Sequence, residues 1–134
     1  AKFFGCDGLD GILSVEGFDT ALAEDVMLLT PFVADEDKEL TKNFVAAYEE
    51  QFGGVPNQFG ADAYDGMYAI KAAAEKAGLT PDMSISDMCE AMKTAMTEIT
   101  IDGLTGEGIT WTAEGEPSKA PKAMVIKDGA YTAM

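Results

Sequence analysis

Val26-Met27-Leu28-Leu29 runs on to Thr30 and is stopped by Pro31. A continuous apolar run of this length, closed by a proline, reads as a strand buried on both faces. That is the pattern of a parallel sheet covered by helices. Upstream, Lys2-Phe3-Phe4 is a shorter apolar strand that ends in the loop Gly5-Cys6-Asp7-Gly8. Between the two strands, from about Asp10 to Ala23, a loosely amphipathic stretch predicts a short helix.

Downstream, Asp35-Glu36-Asp37-Lys38 predicts the opening of a helix, with acids in the first turn where they suit the dipole. Leu40, Phe44, Tyr48 and Phe52 recur every four residues, and Gly53-Gly54 with Pro56 beyond them ends the segment. A second helix is predicted from about Gln58 to Lys76, ending at Gly78, with Ala69, Ala72, Ala73 and Ala77 allowing close packing. In a third, Ile85, Met88, Cys89, Met92, Ala95, Met96 and Ile99 share one face, so the Met stripe and Cys89 are expected in the core. Ser84 with Asp87 three residues later resembles a capping box.

After Ile101 the texture changes. Gly103, Gly106, Gly108 and Gly115 break the chain into short pieces. Ile109-Thr110-Trp111 and Ala123-Met124-Val125-Ile126 read as strands, the second followed by a turn at Lys127-Asp128-Gly129. Strands alternating with helices define an α/β fold, a sheet flanked by helices.

The composition excludes much. Of 134 residues, 24 are acidic and nine basic, a formal charge of −15, so a phosphate backbone would be repelled and nucleic acid is not an expected partner. There is no histidine, which removes the commonest general base and metal ligand. Cys6 and Cys89 have no metal-ligand spacing. No phosphate-cradling Gly-rich loop and no Gly-x-Ser-x-Gly is present. No catalytic set, metal site or cofactor is expected.

Asp7 is the best candidate for a functional residue. It follows a buried strand, and in open α/β sheets ligands gather at the carboxyl ends of strands. The flanking Gly5 and Gly8 let backbone approach a ligand closely. A carboxylate there can pair with an ammonium group. A turn-forming or helix-capping role is the alternative.

Several segments, in order, resemble the branched-chain amino-acid binding proteins of the type I periplasmic-binding-protein superfamily. Phe3-Phe4-Gly5-Cys6-Asp7-Gly8 resembles their late strand and ligand loop, and Val26 to Asp35 their strand that crosses between lobes. Phe44 to Gly53 is similar to a helix ending in Tyr-x-x-x-Phe/Tyr-Gly before a proline. Ala61-Asp62-Ala63-Tyr64-Asp65-Gly66 resembles Ala-x-x-Tyr-Asp-Ala. Ile101 to Gly106 resembles Phe-x-Gly-Val-Thr-Gly, and Trp111 to Pro117 resembles Phe-x-x-x-Gly-Asp-Pro.

The resemblance implies part of a two-lobed protein that closes on a ligand, with an N-terminal portion outside this sequence. Residues 1–30 would be part of one lobe, 31–101 a helical segment of the other, and 102–134 a β-rich return. It implies no enzyme, but an extracytoplasmic component of an ABC importer, periplasmic or extracellular, and lipid-anchored in a Gram-positive cell. The partners would be an amino acid and a membrane permease. By position Asp7 matches the acid that pairs with the ligand's α-ammonium, where several members carry Glu. Cys6 and Gly8 would flank it, and Phe59 and Ala61 would lie near the wall for the ligand side chain. With sheet edges uncovered, a homodimer of this chain is expected. The same fold also serves as a ligand-sensing receptor domain. A flavodoxin-like electron carrier fits the size and charge, but its Ser/Thr-rich phosphate loop is missing.

Overall fold

The structure, a computed structural model, describes residues 1–134. The chain divides into two compact units, one formed by residues 1–61 with 120–134 and the other by 62–119.

The first unit holds a four-stranded sheet in the order β1-β2-β3-β4. The strands are β1 (Phe4–Gly5), β2 (Met27–Thr30), β3 (Lys122–Lys127) and β4 (Ala130–Ala133). β1 and β2 are parallel, with Phe4 opposite Met27. β2 and β3 are antiparallel, with Leu28 opposite Met124. The sheet is therefore mixed, not wholly parallel. An apolar run specifies burial but not the direction of its neighbour, and β3 is tied to a hairpin. That hairpin turns at Asp128 (φ 51°) and Gly129 (φ 75°). Two consecutive positive φ values make a turn whose twist matches that of the strands.

The faces of this sheet differ. Leu28, Met124 and Ile126 are buried with Ala23 and Val33, and Leu9, Phe18 and Tyr131 pack around them. The opposite face carries Met27, Leu29 and Val125, all half-buried, and the exposed Phe4. Between β1 and β2 there is no α-helix. Only short 3-10 turns form, including Ile12–Ser14 and Thr20–Ala23. Gly11 and Gly17 sit at φ 92° and 77°, which interrupts any longer helix. The first long helix, α1 (Glu39–Phe52), starts after the acidic run because Lys38 is still extended. Asp37 pairs with Lys42, and Glu36 with Lys122, ahead of the helix. Phe44, Tyr48 and Phe52 stack in succession along it, and Phe44 meets Phe32 edge-on at 6.0 Å.

The second helix, α2 (Gln58–Ala77), begins in the first unit and continues as the first element of the second. There Ala69 and Ala73 meet Ala95 of α3 (Ile85–Met96) and Ile99, with Met92, Met96 and Trp111 packed against them. Small side chains on α2 permit this approach. The buried stripe of α3 is shorter than its sequence period. Cys89 is exposed and Ile85 is 79% exposed, so the expected core positions at the start of the helix are corrected. Met88, between them, is half-buried. Ser84 caps the helix, accepting from the Asp87 N–H at 3.1 Å and donating to the Asp87 carboxylate at 2.8 Å. Ile109 to Trp111 forms only isolated bridges, Ile101 to Ile109 and Trp111 to Pro117, because the glycines keep each extended piece short.

Asp65 and the loop at 103–106 explain two of the sequence motifs together. The buried Asp65 carboxylate accepts from the N–H of Leu104 and Thr105, both at 2.8 Å, and from the Thr105 hydroxyl at 2.6 Å. A Cβ at Gly103 would lie 2.5 Å from that carboxylate, so only glycine fits.

Candidate functional site

Asp7 opens a 3-10 turn, Asp7–Leu9, directly beyond β1, with Cys6 as its capping residue. Cys6, Asp7 and Gly8 are all exposed, at the carboxyl end of the strand. The Asp7 carboxylate has no partner within the chain. Its backbone, by contrast, is fixed. Asp7 C=O accepts from the Asp10 N–H at 2.9 Å, and Cys6 C=O from the Leu9 N–H at 3.1 Å. Leu9 folds back over Gly5, where any Cβ would collide with it.

The turn is bound to the start of α2 through Gln58, which is 1% exposed. Asp7 C=O can only accept, so the amide nitrogen of Gln58 must face it, at 2.7 Å. The amide oxygen then faces, at 3.2 Å, the Thr30 hydroxyl, whose single proton also has Phe32 C=O within reach at 3.1 Å. Thr30 Oγ1 in turn accepts from the Phe32 N–H at 3.2 Å. Phe32, Thr30, Gln58 and Asp7 are thus joined in one buried hydrogen-bond network.

Asp10 completes the arrangement. Its carboxylate accepts from the Gln58 N–H at 2.8 Å, satisfying an orphan donor of the α2 N-terminus. Asn57 Oδ1 accepts from Gly60 N–H at 3.2 Å. Burial pushes the Asp10 carboxyl above its ordinary range, against the backbone N–H groups of Gln58 and Gly11, which favour the ionised form. On the far side, the Tyr131 hydroxyl accepts from the Gly11 N–H at 2.9 Å and donates to Leu9 C=O at 3.4 Å.

Of the residues marked in the sequence, Cys6, Asp7 and Gly8 lie together in one turn, and Gln58 joins it to α2, whose first turn holds Phe59 and Ala61. Phe59 is 53% exposed, while Ala61 is fully buried. Gln58, Thr30 and Asp10 were missed. Their signal is slight, because a lone Gln at a helix start and a lone Thr at a strand end have no motif. Asp10 also lines a cavity of about 530 Å3 with Phe32, Val45, Asn57, Met124 and Tyr131, whereas Asp7 does not. No group of three or more acidic, Cys or His side chains is placed to hold a metal ion.

The chain belongs to the periplasmic binding protein family, whose model matches residues 8–130. No curated protein sequence matched. Among solved structures, a branched-chain amino-acid transporter substrate-binding protein from Streptococcus pneumoniae, in complex with isoleucine, superposes with a TM-score of 0.79 at 22% identity. That match covers 98% of this chain and 36% of the other. A leucine-binding protein from Thermotoga maritima gives 0.74 at 21% identity, over 98% of this chain and 35% of that one. An ABC-transporter solute-binding protein from R. palustris, in complex with benzoate, gives 0.78 at 18% identity, over 99% and 35%. The α/β fold is therefore that of the family, and the chain spans little more than a third of each of these proteins.

Proposed function

We propose that this chain is part of an extracytoplasmic solute-binding protein that captures an amino acid for an ABC importer, and that Asp7 pairs with the ligand's ammonium group. The supporting observation is an exposed, unpartnered carboxylate at the carboxyl end of β1, in a turn whose backbone is held by a buried network. A charge presented on fixed backbone loses little freedom when it meets its counter-ion.

The ligands named for the similar structures narrow the chemistry. Leucine, isoleucine and benzoate each combine a carboxylate with an apolar body, but only the first two carry an ammonium. Asp7 would repel benzoate and attract an amino acid. Cys6 and Gly8 would border the ammonium, and Phe59 would contribute to the apolar wall, with the buried Ala61 behind it. The cavity beside Asp10 is not the ligand site in this reading, because an enclosed site needs segments outside this chain. No covalent step is involved, and a membrane permease is the onward partner. Titration calorimetry on the whole gene product, with leucine, isoleucine and benzoate, tests the class. Binding of an amino acid but not benzoate supports it. Tight benzoate binding with no amino-acid binding overturns it.

A further inference from the structure

Gln58 has no charge, is buried and has no place in the proposed ligand contacts, yet it links three separate parts of the first unit. It touches the Asp7 turn, the end of β2 and, through its own N–H, Asp10. A buried amide with both ends satisfied is costly to disturb, because any loss leaves a polar group unpaired. Asp7 C=O accepts from Gln58 and from the Asp10 N–H while the carboxylate of the same residue stays free.

We propose that Gln58 is the positioning residue for Asp7: its amide sets where the Asp7 carboxylate stands, and Thr30 sets the amide. This rests on the reading of Asp7 as the ammonium partner. Leu at position 58 keeps the volume but donates nothing to Asp7 C=O. The turn then keeps the bond from the position-58 N–H to Asp10 but loses the side-chain tie at Asp7 itself, and its carboxylate no longer meets the ammonium in one fixed place. Thr30→Val acts one step back. It leaves the Gln58 amide in place but unanchored at its oxygen.

The test is a double-mutant cycle in the whole gene product, read by calorimetry. The probe is L-leucine, or whichever of the twenty protein amino acids the wild type binds most tightly. Gln58→Leu should weaken binding about tenfold, the scale of one buried hydrogen bond. In an Asp7→Ala background the same change should have almost no further effect, because the group it positions is gone. A general loosening of the fold would instead cost the same factor in both backgrounds, and that additive result overturns the proposal. So does an unchanged affinity in Gln58→Leu. If Gln58→Leu does not fold, Thr30→Val carries the cycle, with a several-fold loss expected only when Asp7 is present. Equal losses with and without Asp7, or no loss, again refute it. An Asp7→Ala protein that binds as well as wild type brings down the ligand reading itself, and the positioning role with it. Both also fall if the wild type binds none of the twenty.

Discussion

At the scale of single residues, acids in three settings do different work. Asp7 is exposed and unpartnered, Asp10 is buried against a helix start, and Asp65 is buried in a ring of donors. Removing the Asp65 carboxylate leaves two buried N–H groups and a hydroxyl unpaired. Asp65→Ala should therefore cost roughly 3–5 kcal/mol in denaturant unfolding. Gly103→Ala should be severely destabilising for the steric reason given above. Asp10 behaves oppositely. Its folded pKa lies above the unfolded value, so the folded state binds the proton more tightly, and ionisation counts against folding as pH rises. Asp10→Asn retains an acceptor for Gln58 and removes that penalty. Its thermal midpoint should equal or exceed wild type at pH 8. The difference should shrink as pH falls through the ordinary carboxylate range. A variant much less stable than wild type at pH 8 would contradict this. Cys89 sits on the surface with Cys6, so both thiols should react promptly with a thiol reagent in the folded protein. One slow thiol would argue that Cys89 is covered.

At the scale of elements, the sequence was most legible where period and punctuation agree. α2 ends within a residue of its predicted position, and the β3 turn falls where Lys127-Asp128-Gly129 placed it. Legibility failed where tertiary contacts decide. Glycines at positive φ turned the predicted helix after Asp10 into short turns, and an extended Lys38 delayed α1. The stripe of α3 was readable as a pattern, but Ile85 and Cys89 at its start are exposed. Met92 is packed against the Ala69–Ala73–Ala95 cluster. Met92→Asp would place an unpaired charge there and should lower the thermal midpoint sharply, whereas Ile85→Asp, on the exposed turn, should leave it nearly unchanged. Equal effects would mean that the stripe is uniform after all. The Asp7 turn was found from its place after a strand. The Gln58 network beneath it was not, because hydrogen bonds between positions 7, 30 and 58 leave no trace in local sequence.

At the scale of the molecule, the sheet face with Phe4, Met27, Leu29 and Val125 is partly uncovered. Apolar faces and short edges invite pairing with another copy. The 134-residue chain alone should therefore run as a dimer in light scattering and should bind no amino acid measurably. A monomer of 14.2 kDa that titrates with leucine would overturn both expectations. Whether Asp7 meets an ammonium group is decided by comparing leucine with 4-methylpentanoate, the same molecule without its amino group. The measurement is calorimetry on the whole gene product, wild type and Asp7→Ala. Wild type should prefer leucine strongly, and Asp7→Ala should lose roughly 2–5 kcal/mol of leucine affinity so that the preference collapses. If leucine binds Asp7→Ala as tightly as wild type, with the preference intact, the carboxylate does not touch the ligand and the assignment is wrong.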